Sequence, residues 1–479
     1  MITDKLENEF KTHILLYLTV LCAVFGVSFY FISVSLSQSI LIFLLSLFLY
    51  EILIRIIYYL VYGNSYKNKL YSPILIDHKI YGYSFPSNFN SKEYNKLLFD
   101  SYLFKSKNRN IMLGDNINSR VAFTTNNKGF RGGDFNKSNF KIFCCGGSTT
   151  ACSSCDDDDT WPAILNQKFG SNNYDIEVVN AGIQGWYSYQ NLLKIKHEII
   201  NYDPSVIILH HGWNEEFNYS SLKLGRDWTP KVVRNNINTN ITYTKPDKFP
   251  LLNKIIIFFL IKKITHFNYN FKKSMSFLNK ERWEVLKKEE YLVAWFEVLL
   301  DIFEIAQKNN IMIFMINPPS LVDVHDSKIN RGIYISNSRL DRWFANYQAI
   351  SGARISNFLS VIDKFGSIPV MNCKSSFEKF QGLDRLRLFT DEIHLSAAGN
   401  KVLANDVFSF LKHNKVFNKF YKEGCNKQKI DFNKLLCLKN KAVQNSKEIN
   451  NNIDKIISSV GDGSIDHEES IPTDRYTTF

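Results

Sequence analysis

Short apolar runs alternate with helix-like segments along most of this 479-residue chain. The clearest runs are IFCC at 142–145, DIEVVN at 175–180, SVIILH at 205–210 and IMIFMI at 311–316. Runs of this length are typical of buried strands, and amphipathic helical patterns lie between them. Strands that alternate with helices form crossover connections and a parallel sheet with helices on both faces. We therefore expect an α/β fold for residues 127–412.

The residues that follow the first three runs could carry chemistry. Gly146-Gly147-Ser148 follows the first run, Gly185 lies in the loop after the second, and Asn214 follows the third. In open parallel sheets, ligands bind at the edge formed by the carboxyl ends of the strands. We therefore expect Ser148, Gly185 and Asn214 to lie near one another at that edge.

Ser148 has two interpretations when only its own neighbourhood is considered. The paired glycines before it allow positive φ values and a close backbone approach, which a turn around a reactive atom requires. A serine in this position is, however, more often a helix N-cap than a nucleophile. The choice between the two depends on residues far along the chain.

An aspartate and a histidine, Asp391 and His394, precede the last predicted helix and are three residues apart. One turn could aim both side chains into the same cleft, where a carboxylate fixes the tautomer of an imidazole and stabilises its protonated form. With Ser148, these two residues form a candidate catalytic triad. The candidate oxyanion donors are the backbone N–H groups of Ser148 and Gly185 and the side-chain amide of Asn214.

Each of these residues also has an ordinary structural role open to it. Asp391 could begin a helix, His394 could be a surface histidine, and Asn214 and Gly185 could be turn formers. Taken singly, the ordinary role is favoured for each residue. Their joint order along the chain, each beside a strand end or before the last helix, favours the catalytic interpretation.

Four blocks of the sequence resemble those of the SGNH, or GDSL-type, hydrolases. They are Gly146-Gly147-Ser148, Asn180-Ala181-Gly182-Ile183-Gln184-Gly185, Gly212-Trp213-Asn214-Glu215 and Asp391-Glu392-Ile393-His394. The resemblance covers residues 127–412 apart from an insertion at 217–282. It implies a three-layer α/β/α flavodoxin-like fold and a serine ester-hydrolase mechanism without a metal. Two residues depart from the family pattern, since Gly147 stands where the family name has Asp, and Glu215 stands where Asp is commoner.

A general α/β-hydrolase is the nearest competing interpretation, because it shares the chain order serine, acid, histidine. That class expects G-x-S-x-G around the nucleophile, and here Thr150 stands at the position of the second glycine. In that class the acid and the histidine usually come from separate loops. The three-residue spacing of Asp391 and His394 therefore favours the SGNH type.

Residues 1–62 predict a membrane anchor. No charged residue occurs between positions 14 and 50, and the polar patch SVSLSQS at 33–39 divides this apolar run. Each half, His13–Ser33 and Ser39–Tyr62, is long enough to cross about 30 Å of hydrocarbon as a helix. Lysines flank the outer ends of this helical hairpin and are absent from its loop. We therefore expect the main domain on the cytoplasmic side.

Three further segments complete the predicted organisation. Residues 63–126 are expected to connect the anchor to the catalytic domain and to pack on it, with short strands or extended chain in the stretch 71–90. The insertion at 217–282 contains the apolar run Leu251–Ile264, which could be a buried helix, a lid or a segment lying on the membrane. Residues 413–479 are polar and are expected to form a largely disordered tail.

The formal net charge of +12 could indicate a nucleic-acid partner. The lysines are scattered among asparagines without an RNA- or DNA-binding signature, so we expect a solvated basic surface and no nucleic-acid partner. The eight cysteines lack the spacing of a disulfide framework, and the C-x-x-C segment Cys152–Cys155 lacks the second half of a metal site. We expect most thiols to be reduced, with no metal and no cofactor.

These observations predict a membrane-anchored serine esterase that cleaves an O-acyl group, such as acetyl, from a carbohydrate or lipid-like substrate. An O-acyltransferase is the first alternative, because a sugar hydroxyl could intercept the same acyl-enzyme in place of water. The second alternative is a membrane-tethered scaffold with a vestigial site. The joint presence of Ser148, Asp391, His394 and Asn214 argues against that alternative.

Overall fold

The computed structural model of this protein describes most of the region between residues 75 and 436. The described residues are Gln38, Leu45, 75–91, 121–135, 137–215, 290–323, 325–327, 329–330, 333–334, 342–366, 368–424, 426 and 428–436. The predicted hairpin at 13–62, apart from Gln38 and Leu45, and the insertion at 217–282 lie outside these ranges. No helix within the described ranges combines the length and the apolar character needed to span a membrane.

The chain divides into two compact units. The first comprises residues 1–72, 93–100 and 246–271, in which only Gln38 and Leu45 are described. The second comprises the rest of the chain, and every element given below belongs to it.

An antiparallel hairpin opens the described part of the second unit. Its strands are β1 (Ile76–His78) and β2 (Gly82–Ser84), in the stretch for which short strands are predicted. The Tyr81 ring lies edge-on to the Trp186 ring at 5.4 Å, and the Gln190 side chain donates to the Tyr81 carbonyl at 2.9 Å. These contacts attach the hairpin to residues 186–190 of the sheet domain.

A five-stranded parallel sheet forms the centre of the second unit. Its strands are β3 (Phe140–Gly146), β4 (Ile176–Asn180), β5 (Val206–His210), β6 (Met312–Ile316) and β7 (Val370–Met371). They lie in the spatial order β4-β3-β5-β6-β7, which is the order of flavodoxin-like doubly wound sheets. The prediction of an α/β fold with a parallel sheet is confirmed.

Strands β5 and β6, which lie between β3 and β7 in the sheet, are buried along their whole length. All five residues of β5 and all five of β6 are buried. Continuous apolar runs of this kind are characteristic of parallel strands that are covered on both faces. The site loops start from the carboxyl ends of these buried strands.

Nine helices cover the two faces of the sheet in the described part of the chain. In chain order they are α1 (Ser148–Ala151), α2 (Trp161–Ser171), α3 (Ser188–His197), α4 (Glu290–Lys308), α5 (Arg342–Gly366), α6 (Lys374–Glu378), α7 (Gly382–Leu386), α8 (Ala397–His413) and α9 (Lys415–Glu423). Ile142 and Cys144 of β3 share a core cluster with α2 and α8. Their neighbours on the strand point to the opposite face, where α3 and α4 contact each other.

Helix α9 corrects the predicted disordered tail at 413–479. Phe417 and Phe420 are buried, and their rings pack edge-to-face against Phe140 of the first sheet strand. Farther on, the Gln428 side chain bonds to both the N–H and the carbonyl of Ile313, at 2.8 and 2.9 Å. The aromatic residues recur at helical spacing within a Lys/Asn-rich stretch. The prediction of disorder relied on the polar composition and did not take this spacing into account. Residues 437–479 lie outside the described ranges.

Candidate active site

Ser148 is the first residue of α1, directly beyond the carboxyl end of β3. Its neighbour Gly147 occupies the N-cap position of that helix. The interpretation of Ser148 as an N-cap is therefore excluded. Because β3 lies between β4 and β5 in the sheet, the loops after both neighbouring strands can reach the serine. Ser148 is largely buried, with 7% of its surface exposed.

His394 lies between Ser148 and Asp391. The His394 Nε2 atom is 2.7 Å from Ser148 Oγ, and His394 Nδ1 is 2.8 and 2.7 Å from Asp391 Oδ1 and Oδ2. Because a carboxylate can only accept, the proton on the ring belongs on Nδ1, which leaves Nε2 able to accept the serine proton. The structure thus brings together the three residues of the predicted triad, which are far apart in the sequence.

The loop that carries Asp391 and His394 is fixed by its own backbone. The N–H groups of Ile393 and His394 donate to Asp391 Oδ1 at 3.1 and 2.8 Å, and the N–H of Thr390 donates to the His394 carbonyl at 2.8 Å. Asp391 is buried, whereas 23% of the His394 side chain is exposed. The imidazole therefore faces the cleft from a loop that holds its orientation.

Asn214 places its side-chain amide beside the backbone that precedes Ser148. Its Nδ2 atom donates to the Trp186 carbonyl at 2.8 Å. A Cβ atom on Gly147 would lie 2.6 Å from Asn214 Nδ2 and 2.6 Å from the Trp186 oxygen. The amide can therefore approach the nucleophile only because residue 147 is a glycine. An amide NH₂ has two donor hydrogens, so Asn214 can serve an oxyanion and keep the bond to Trp186.

Gly185 lies in the turn that follows β4 and has a φ of +75°, a value that glycine adopts without strain. The turn is attached to the end of β3, because the N–H of Ile183 donates to the Gly146 carbonyl at 3.2 Å. The N–H of Trp186 closes the turn on the Ile183 carbonyl at 3.1 Å. Gly185 is thus held near the sheet edge where its block was predicted to lie.

Glu215 connects the two loops that carry Gly185 and Asn214. Its Oε1 accepts the N–H of Ser188 at 2.8 Å, and its Oε2 accepts the N–H of Gly212 at 2.9 Å. Burial raises the pKa of Glu215 to about 7, although these hydrogen bonds oppose the shift. The sequence showed this residue only as a departure from a family pattern, because backbone N–H partners leave no signal in residue types.

Cys152 and Cys155 lie in the loop after α1 as buried free thiols. The side chain of Asn400 bonds to the two sulfurs at 3.3 and 3.2 Å. Burial raises the pKa of these thiols to about 12 and about 11, so they stay protonated at neutral pH. In the part of the chain that the structure describes, no cluster of His, Cys, Asp or Glu side chains could hold a metal ion. The two thiols therefore help to pack the loop against α8.

The fold and these contacts describe a hydrolase-type site of serine, histidine and aspartate at the edge of a parallel sheet. A family model described as GDSL-like Lipase/Acylhydrolase matches residues 142–407, which is more than half of the chain. The chain belongs to this family, as its sequence blocks predicted. A search of curated protein sequences found no match.

The solved structures that match this chain have low sequence identity to it. The acetyl xylan esterase AlAXEase is 14% identical, with a TM-score of 0.30, over 56% of this chain and 98% of that one. Axe2, an acetylxylan esterase from Geobacillus stearothermophilus, is 13% identical, with a TM-score of 0.31, over 57% and 94%. A GDSL-like lipase from Bacteroides thetaiotaomicron is 14% identical, with a TM-score of 0.28, over 57% and 87%.

Proposed function

We propose that this protein is a serine esterase that forms an acyl-enzyme on Ser148. The observation that carries the proposal is the 2.7 Å separation of Ser148 Oγ and His394 Nε2, with Asp391 on the other ring nitrogen. A nucleophile, a base and a group that orients the base are the parts that acyl transfer requires. Membership of the GDSL-like lipase and acylhydrolase family supports the same chemistry.

In the proposed reaction, Ser148 Oγ attacks the carbonyl carbon of the ester while its proton passes to His394 Nε2. The backbone N–H groups of Ser148 and Gly185 and the amide of Asn214 stabilise the charge that develops on the carbonyl oxygen. The bond to the alcohol then breaks, and His394 returns the proton to the leaving oxygen. Water, activated by the same histidine, releases the acid and restores Ser148.

The proposed substrate is an O-acyl ester of a carbohydrate or lipid-like molecule, with a short acyl group such as acetyl. Two cavities of about 640 and 450 Å³ occur in the described part of the chain. One lies at the amino ends of the strands beside Asp203, the other lies beside Asp406 on α8, and neither borders Ser148. Neither cavity is therefore assigned to the substrate.

The experiment is acetate release by the full-length protein in detergent from a panel of aryl and sugar acetates. We expect Ser148→Ala and His394→Ala to lower kcat by more than about a thousandfold, because each removes a part of one catalytic unit. Ser171→Ala, at the exposed end of α2, serves as the control and should keep wild-type activity. If the wild type releases acetate no faster than Ser148→Ala on any ester, the proposal fails.

An O-acyltransferase is the second candidate, because the same acyl-enzyme at Ser148 can be attacked by a sugar hydroxyl. The assay is repeated with an oligosaccharide acceptor, and the products are identified by mass spectrometry. Acylated sugar that forms in preference to free acid would assign the transferase, whereas free acid alone assigns the esterase. A scaffold without activity is the remaining alternative, and it predicts neither product.

We also propose that residues 13–62 anchor the protein in a membrane, with the catalytic domain on the cytoplasmic side. The uncharged stretch at 14–50 and the lysines at its outer ends support this topology. Alkaline phosphatase fused after Tyr62 should be inactive if the catalytic domain is cytoplasmic. An active fusion would contradict the orientation, and recovery of the protein in the supernatant after alkaline extraction would contradict the anchor.

A further inference from the structure

Arg131 is a buried arginine that lies before the region matched by the family model. Only 5% of its surface is exposed, and it precedes the first strand of the sheet. We propose that Arg131 is a positioning residue that holds the helix carrying Ser148 in its reactive geometry. This inference rests on the function proposed above, since it gives Arg131 a role in the same reaction.

The guanidinium group donates to three carbonyl oxygens in the chain just after the nucleophile. Arg131 Nη1 contacts the carbonyls of Ala151 and Cys152, and Arg131 Nη2 contacts the carbonyl of Cys155 at 2.5 Å. Ala151 is the last residue of α1, which has only four residues. The arginine therefore binds the end of the helix that Ser148 begins.

A helix this short cannot satisfy its own terminal carbonyls, so it depends on side chains from elsewhere. Asn180 Nδ2 donates to the Thr150 carbonyl at 2.9 Å, and the N–H of Arg131 donates to the Asn180 carbonyl at 3.2 Å. The N–H of Cys152 donates to the Ser148 carbonyl at 2.8 Å. Arg131 and Ser148 are thus linked through one residue, Cys152, and a shift of the arginine would reach the nucleophile.

The environment of Arg131 matches a planar cation. Its Nε is 3.0 Å from Asp157 Oδ1, and its guanidinium carbon lies 4.4 Å from the centre of the Phe123 ring. The Asp157 carboxylate is itself held by Thr124, whose N–H and hydroxyl donate to Oδ2 at 3.0 and 2.7 Å. Lysine has a single ammonium group and cannot reach three carbonyls and a carboxylate in one plane. The arrangement therefore requires arginine at this position.

A role in stability alone would also place an arginine here, so the test must separate the two roles. We compare full-length Arg131→Lys with the wild type and with Arg387→Lys, whose guanidinium forms an exposed pair with Asp384. Thermal unfolding is followed for each variant. Hydrolysis of an aryl acetate gives kcat and KM, and a fluorophosphonate probe reports the reactivity of Ser148.

We expect Arg131→Lys to lower kcat by about 10- to 100-fold with KM within about twofold, because a displaced reacting group costs rate and not ground-state binding. The rate of fluorophosphonate labelling should fall by a similar factor, while Arg387→Lys behaves as the wild type. A folded Arg131→Lys protein with the wild-type kcat and labelling rate would overturn the inference. The inference would also be overturned if the loss of activity merely equalled the fraction of the variant that is unfolded.

If Arg131→Lys does not fold, Asp157→Asn provides the second variant. It keeps the arginine and weakens the ion pair that orients the guanidinium group. We expect a smaller loss of kcat in that variant, again without a change in KM, and an unchanged kcat would overturn the inference. The proposed function fails separately. A wild type that neither cleaves esters nor reacts with the probe contradicts the esterase, whereas an active wild type and an equally active Arg131→Lys contradict only the role of Arg131.

Discussion

At the residue scale, Gly147 decides how closely the Asn214 amide can approach the nucleophile. In the comparison with the family pattern, this glycine was only a departure from the expected residue. The structure gives it a physical role, since a Cβ at this position would meet both Asn214 Nδ2 and the Trp186 carbonyl at 2.6 Å. One of these atoms belongs to the backbone and cannot move aside easily.

We expect Gly147→Ala to lower kcat by about 10²- to 10³-fold, the range observed when one oxyanion donor is removed. The added methyl group would displace the Asn214 amide or the serine turn, without changing the triad residues themselves. Hydrolysis of an aryl acetate measures the effect. Gly170→Ala is the control, because a Cβ there meets nothing within 4 Å. Equal activity of Gly147→Ala and Gly170→Ala would refute the role given to Gly147.

At the element scale, most of the strands and long helices could be predicted because the strands are short apolar runs and the helices have an amphipathic repeat. The helix predicted after His394 is observed as α8 (Ala397–His413), and the apolar run at 311–316 is observed as β6 (Met312–Ile316). The spacing of Asp391 and His394 could likewise be recognised from sequence. The contacts of Glu215 and Arg131 could not, because their partners are backbone groups that the fold alone brings close.

Helix α9 was missed because its buried residues contact strands and helices far away in the chain. Phe417 is fully buried, and its ring lies near those of Phe140, Phe169 and Phe314. Three aromatic partners from three separate elements give a Lys/Asn-rich segment enough apolar contact to fold. The boundary of the folded domain therefore lies beyond the predicted residue 412.

We expect Phe417→Ala to lower the free energy of unfolding by about 3–5 kcal/mol, as other large-to-small substitutions in cores do. Val416→Ala on the same helix is the control, because Val416 is 44% exposed and should cost little. Urea unfolding of the full-length protein measures both. Equal midpoints for the two variants would show that α9 adds nothing to the core.

At the scale of the whole molecule, buried titrating groups make stability depend on pH. His210 and His211 follow one another at the end of β5, and burial lowers the pKa of each to about 3. In the unfolded chain their pKa is 6.5, so the unfolded state binds more protons below that value. Their contribution to stability is present above pH 6.5 and is lost as the pH falls towards 3. Glu215 acts in the opposite direction between pH 4.5 and about 7, because its folded pKa is raised.

We expect His211→Gln to reduce the loss of stability on acidification by up to about 1.4 kcal/mol per pH unit, the slope of one titrating group. The free energy of unfolding is measured by urea titration at several pH values between 4.5 and 7. His197→Gln, on the exposed surface, is the control and should keep the wild-type slope. A wild-type slope in His211→Gln would contradict the assignment of a buried neutral histidine.

The most direct measurement of the central claim is the site of covalent modification by a fluorophosphonate probe. Peptide mass spectrometry after labelling should locate the adduct on Ser148, and labelling should abolish ester cleavage in proportion to occupancy. His394→Ala should slow labelling strongly, since the nucleophile loses its base 2.7 Å away. An adduct on another residue, or ester cleavage that persists when Ser148 is fully modified, would contradict the assignment of Ser148 as the nucleophile.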